Sequence, residues 1–433
     1  MSRPWGTSVS GPRWQTRLSL VSFAGQALAY ALAIILARGL GVDGFESYVV
    51  ASATFILMVR LVPQGLEKYS LKRLPVLLEC GQLDQVRGFL RFSCRRLVLG
   101  SVLLGGAVSA WAWSADGMDR GTRIAIVLAC LSLPAGGLVH LGLEVLTVFG
   151  RAFAAAVVFR LLVPATVLVL AGAALAWSPE LRASGAIAAW GAAWCVALAA
   201  MVVLARRAAP PGLAAVAPVE DAALWVREAR PFWLYRGSLA LLGQAGIVAL
   251  ESLQPSPAAV GAFAAALGTA AIVQVLATAT NRVYASRLSS LVAQGDIAGI
   301  RRLSSERLRW LAVPLLAYLL VVFAFAGDLV AVFRPEFVAD GAPALRILAA
   351  STALSTALSL APTFLKHQGE HRLLFRAVAA AAALQVGLLL VLVPWLGTVG
   401  AAIAHAATTS ALYGRLAWGA HRGLARLPVA SGR

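Results

Sequence analysis

Long apolar runs separated by short polar segments dominate the chain. Crossing a hydrocarbon core of roughly 30 Å takes about 20 helical residues, and charge-free runs near that length recur from one end to the other. Residues 18–37, 97–113, 124–143, 161–177, 185–204, 310–327 and 347–365 each predict one spanning helix. The stretch 377–414 is too long for one span, and Pro394, Gly397 and Gly400 mark a turn that divides it into two. Residues 252–281 open on the turn Pro255-Ser256-Pro257 and then supply one span. Two further spans each hold one arginine: 47–66 with Arg60, and 232–250 with Arg236. The pattern predicts twelve transmembrane helices.

Composition agrees with this picture and charge orients it. Of 433 residues, 60% are hydrophobic and 13% charged, far below the roughly 25% charge of a soluble domain. The net charge of +18 would suggest a nucleic-acid partner in a soluble protein. Here it sorts by loop: with the N-terminus inside, alternate segments hold 31 and 6 of the 37 basic residues. Both termini are therefore expected on the cytoplasmic side, and no nucleic-acid partner is implied. The first apolar run is long enough to span and reads as a helix, with no cleaved signal peptide expected. Four cysteines are ordinary usage: Cys80 and Cys94 fall in a polar segment read as a loop, Cys130 and Cys195 in apolar runs.

Two segments repeat at a separation close to half the chain. SFAGQALAYAL from Ser22 matches ALLGQAGIVAL from Ala240, sharing Gly25-Gln26-Ala27 and Gly243-Gln244-Ala245. The polar stretch from Gly81 to Leu97 matches that from Gly295 to Leu311, keeping Arg87 with Arg301 and Arg95 with Arg309. Six spans per half bring both halves into the membrane from the same side, which is a parallel repeat. The expected fold is an all-α integral membrane protein, about twelve transmembrane helices in two six-helix lobes. Residues 1–204 form the first lobe, 205–231 a cytoplasmic linker carrying Pro210-Pro211-Gly212, and 232–433 the second lobe with a short basic cytoplasmic tail.

An ordered set of short patterns accompanies these spans. It comprises Leu36-Ala37-Arg38-Gly39-Leu40-Gly41-Val42-Asp43-Gly44-Phe45 with Tyr48, Gly65-Leu66-Glu67 followed by Arg73-Leu74-Pro75, and Phe149-Gly150-Arg151 followed by Arg160 and Pro164. Later come Trp225-Val226-Arg227-Glu228-Ala229, Ser256-Pro257 with Val260-Gly261-Ala262-Phe263, and Pro335-Glu336-Phe337 with Leu345-Arg346-Ile347-Leu348. As a set over residues 17–425 it resembles the lipid-linked oligosaccharide and polysaccharide flippases, relatives of the multidrug and toxin extruders in one exporter superfamily. The resemblance implies transfer of a polyprenyl-pyrophosphate-linked glycan from the cytoplasmic to the periplasmic leaflet of a bacterial inner membrane, for O-antigen, capsule or exopolysaccharide assembly. It also implies membrane lipids and polysaccharide polymerase or chain-length proteins as partners. Two departures matter: Glu46 stands where the family usually has glycine, and Gly246 where an acid often stands in span seven.

Candidate chemistry is sparse. Guanidinium groups suit phosphate, being permanently charged and able to bond in pairs. Arg60 and Arg236 each lie about 20 Å into a span, in its cytoplasmic third. Either lines a substrate cavity or snorkels to headgroups. Gln26 and Gln244 fall mid-span, where an amide needs a polar partner: sugar hydroxyls in a cavity or a neighbouring helix. Arg17, Arg38 and Arg282 read as interface anchors, Glu67 and Glu251 as end-of-span acids, and Glu144 with Arg160 as a structural pair. His140 and His405 are isolated inside spans and read as packed rather than catalytic. No metal-ligand spacing and no phosphate loop occur, so no cofactor and no enzymatic activity are expected. A drug or metabolite antiporter of the same fold is the nearest rival. A glycan polymerase, ligase or acyltransferase would need catalytic groups on a large outer loop, and the longest, 328–346, carries no histidine.

Overall fold

A computed structural model describes residues 12–115, 118–177, 183–254 and 256–425. The extreme N-terminus, the basic tail beyond 425 and Pro255 of the expected turn lie outside the described residues, as do the side chains of Arg282 and Trp177. Among the described residues there is helix and no strand. The chain divides into two compact units, Met1–Ala240 and Leu241–Arg433.

In the first unit, α1 (Pro12–Leu61) carries two spans, joined at Gly41 by a single residue with φ 76°. The nine-residue loop expected there is helical on both sides of that break. There follow α2 (Leu66–Glu79), α3 (Leu83–Ser114), the bent pair α4 (Arg120–Leu131) and α5 (Leu133–Val148), α6 (Ala152–Val157), α7 (Val163–Trp177) and α8 (Ala183–Ala208). Helix α9 (Ala222–Leu253) then crosses from the first unit into the second. The second unit continues with α10 (Pro257–Ala270), α11 (Gln274–Gln294), α12 (Ile297–Ala331), α13 (Val338–Leu358), α14 (Leu360–His367) and α15 (His371–Leu424). Helix α15 again holds two spans, broken only at Gly397, where φ is 54°. The outer segment 328–346 is mostly absorbed into α12 and α13.

Eight described helices are long and apolar enough to cross a membrane, nine with the α4–α5 pair. Dividing the first and last at their glycine breaks brings this to eleven. Helix α9 is long enough but less apolar because Arg236, Gln244 and Glu251 lie in its membrane-length part.

The duplication shows most clearly in the turns. Gly81 and Gly295, which open the second sequence repeat, both take positive φ, 71° and 67°. Each sits at the end of one helix two residues before the next. In both, the following N–H reaches back five residues, Gln82 to the Leu77 carbonyl at 2.9 Å and Asp296 to the Leu291 carbonyl at 3.0 Å. This is the glycine-terminated Schellman closure, which satisfies carbonyls left over at a helix end. Gly150 and Gly369 repeat it, with Arg151 bonding Leu146 and Glu370 bonding Leu365. Sequence comparison found the first pair and missed the second, because only glycine is required there and the flanking residues differ.

The first unit's core at this end is aromatic and tight. Trp225 of α9 is fully buried against Phe89 and Phe92 of α3, in a cluster that includes Tyr69 and Leu74 of α2. Segment 205–221 is held on α3: Val219 donates to the Asp84 carbonyl at 3.1 Å and Arg95 pairs with Glu220 at 3.0 Å. In the second unit, α13 is buried against α10, α12 and α15.

Candidate functional site: an arginine-lined cavity in the first unit

A cavity of about 430 Å³ lies inside the first unit among α1, α5, α7, α8 and the short turn between α6 and α7. That turn, Val158–Leu162, is π-helical. A π turn inserts one extra residue into a helix, re-aims the side chains around it and recurs at functional sites. Here it presents Phe159 and Arg160 to the cavity. Gly25 of α1 lies against it so closely that a Cβ would overlap the Arg160 carbonyl oxygen. The glycine of the first Gly-Gln-Ala motif therefore lets α1 approach, and the next residue, Gln26, lines the cavity. The equivalent Gly243 has nothing within 4 Å of such a Cβ, so the repeated motif does not repeat this contact.

Arg60, Arg160 and Gln26 all line the cavity. Arg60 is half-buried, and Arg160 and Gln26 are exposed to it. None of the three has a hydrogen-bond or ion-pair partner among the described residues. No lining residue is acidic. The rest of the wall is aliphatic and aromatic; among its rings Phe55 meets Trp190 edge-on at 4.3 Å, and Trp194 stacks on His140 at 5.7 Å. The His140 Nδ1–H donates to the Gly136 carbonyl at 2.8 Å, which leaves Nε2 as a hydrogen-bond acceptor. That Nε2 and the Trp194 Nε1–H are both buried and unpartnered among the described residues. The site thus offers two guanidinium groups and an amide; the carboxylates that act on Arg60, Glu67 and Glu144, stand outside the lining and are each paired with another cation, Arg236 and Lys68. Chemically it suits an anion.

The other sequence candidates fall elsewhere. Arg236 does not line this cavity; its Nε lies 3.6 Å from Oε1 of Glu67, which is 2% exposed. Gly65 builds this contact, its φ of 80° allowing the turn into α2 while its missing Cβ leaves room for the backbone of Ala229 and Trp233. Gln244 lies in the second unit, half-buried on α9. The sequence places Arg160 opposite Glu144, but Glu144 pairs with Lys68 at 2.5 Å, and Arg160 turns into the cavity. The π turn decides this, and a π turn has no signature in a run as uniform as Ala154 to Val163. His140, read as packed, is buried and also lines the cavity. Glu251 stands in the last turn of α9, where the sequence puts an end-of-span acid, yet it is 6% exposed and its Oε2 has no partner among the described residues. At Gly246 a Cβ would come within 2.8 Å of the Phe263 ring, so the space an acid would need is filled by phenyl. Cys94 lies within α3, not in a loop.

No protein-family model matches the sequence, and no curated protein matches it. Solved structures do. An inward-facing multidrug-resistance MATE-family transporter of the MOP superfamily matches with a TM-score of 0.74 at 13% identity, over 96% of this chain and 100% of that one. A MOP superfamily transporter from Pyrococcus furiosus, described by a reversed polarity of its binding pocket that suggests a different function, matches at 0.63 and 16% identity over 99% of both chains. The lipid II flippase MurJ in an inward closed conformation matches at 0.65 and 11% identity, over 93% of this chain and 87% of that one. Likeness over nearly the whole chain gives this multi-pass membrane protein the fold shared by the transporters of the MOP superfamily.

Proposed function

We propose that this protein is a flippase that moves a polyprenyl-pyrophosphate-linked oligosaccharide from the cytoplasmic to the periplasmic leaflet by alternating access, for assembly of a surface polysaccharide. The observation that carries this reading is the polarity of the first unit's cavity, whose lining holds Arg60 and Arg160 and no acid, the nearby Glu67 and Glu144 being paired with Arg236 and Lys68. The fold accommodates drug export and lipid-linked cargo equally, as its MATE and MurJ relatives illustrate, so charge is the discriminating feature. An unpaired guanidinium in an apolar wall favours a di-anion by charge-assisted, bidentate bonds and repels a cationic drug. Gln26 adds an amide donor and acceptor of the kind that sugar hydroxyls satisfy, and the Trp190 and Trp194 rings add apolar faces. The loop charge asymmetry supports a cytoplasmic location for both termini.

The test is flipping of a fluorescent polyprenyl-pyrophosphate-linked sugar in proteoliposomes by the protein and by R60Q and R160Q. Flipping by the parent that falls in both variants supports the reading; equal flipping by all three, or none by the parent, refutes it. One observation favours the rival antiporter, namely the buried Glu251, a group that could carry a proton or cation. That reading requires E251Q to abolish export of a cationic drug, with R60Q and R160Q leaving it intact.

A further inference from the structure

A second cavity, about 570 Å³, lies in the second unit between the two halves of α15. Three arginines stand at its mouth. Arg372 and Arg376 come from successive turns at the start of α15, and Arg415 from its far half. All are exposed, and none has a hydrogen bond or ion pair among the described residues; Glu370 at the rim forms none with them. Below the arginines the walls are small and apolar, made of Ala380, Leu384 and Ala411. Trp418 adjoins the mouth, with the guanidinium of Arg415 4.7 Å and that of Arg422 3.6 Å from its ring centroid. Tryptophan with stacked arginines marks the headgroup level of a bilayer, so the apolar part of the groove lies at acyl-chain depth.

We propose that this groove holds an anionic phospholipid, its phosphate on Arg372, Arg376 and Arg415 and one acyl chain along Ala380, Leu384 and Ala411. The polarity selects the occupant. Three positive charges against the single Glu370 leave no use for the ammonium of a zwitterionic lipid. An apolar floor on a membrane helix has no use for a soluble phosphate. Basic clusters beside spans recognise anionic lipid in this way, and closing the site with a fitted groove adds the acyl contact. The proposal is independent of what the first unit's cavity transports.

The full-length protein in nanodiscs of mixed phosphatidylglycerol and phosphatidylcholine tests it, with bound lipid read by native mass spectrometry. The parent is expected to retain phosphatidylglycerol selectively. The R372Q/R376Q/R415Q variant should lose that preference by roughly 100-fold, as three surface charges predict, while its melting temperature in phosphatidylcholine alone stays unchanged. A neutral variant that fills the floor, A411F, should lose phosphatidylglycerol while keeping all three arginines. Equal retention of the two lipids by the parent, undiminished phosphatidylglycerol on either variant, or displacement of the lipid by millimolar inorganic phosphate would each overturn the assignment.

Discussion

Truncating Arg60 and truncating Arg236 should fail in different ways, although each is a lone arginine inside a span. Arg60 is half-buried in a cavity wall with no hydrogen bond or ion pair of its own, and the nearby Glu67 and Glu144 keep Arg236 and Lys68, so replacing Arg60 by alanine strands no carboxylate. What it removes is a charge-assisted contact to the ligand phosphate, worth roughly 1.5–3 kcal/mol, or about 10- to 150-fold in affinity. Arg236 instead sits 3.6 Å from Glu67, whose side chain is 2% exposed. Its removal leaves a buried carboxylate without its ion-pair partner, at about 3–5 kcal/mol, a large part of the roughly 5–15 kcal/mol that holds a domain together. The measurement pairs membrane protein level and melting temperature with surface glycan. R60A is expected to keep a parental melting temperature and lose glycan. R236A is expected to lose folded protein, and E67Q/R236Q to recover much of it, because removing both charges is cheaper than stranding one. Equal loss of folded protein in R60A and R236A, or no recovery in the double variant, would refute this division of labour.

Other substitutions probe the fold and the cavity. G65A combines a positive φ with an overlap against α9 backbone and should lower stability by more than about 2 kcal/mol, read as a drop in melting temperature that an exposed control such as G106A does not show. W225A removes the largest fully buried side chain and should cost about 3–5 kcal/mol, measured by denaturant titration in detergent. Reversing the cavity charge with R60E/R160E should abolish flipping and create binding of a cationic dye, read by fluorescence anisotropy; retained flipping would count against the cavity as an anion site. G246D should not install a functional acid, since Phe263 occupies the space, and should instead reduce folded protein.

The helical, many-span character and the internal repeat were legible in the sequence because each rests on a local rule. A bilayer imposes a length on apolar runs, and a positive φ imposes glycine, so Gly81 and Gly295 could be matched across half the chain. Boundaries were less legible. The segment 38–46 reads as a polar loop, yet one glycine at position 41 turns the chain and the residues on either side stay helical. Likewise the segment 205–231 reads as a linker by its prolines and charge, while tertiary contacts from Val219, Glu220 and Trp225 fasten it to α3.

From the sequence alone it follows that this protein crosses the membrane many times and that few polar groups enter its spans. Those properties depend on composition and period alone. Which of the polar groups meet was decided only by the tertiary structure. Arg60, Arg160 and Gln26 come from three stretches of chain, and Arg160 reaches the others through a π turn and the absence of a side chain at Gly25. Arg236, which looked equivalent to Arg60 by depth and charge, is claimed by Glu67 because Gly65 lets α9 approach. Charge and depth are local quantities; whether a charge is paired depends on distances across the fold, and that is what separates a binding group from a structural one.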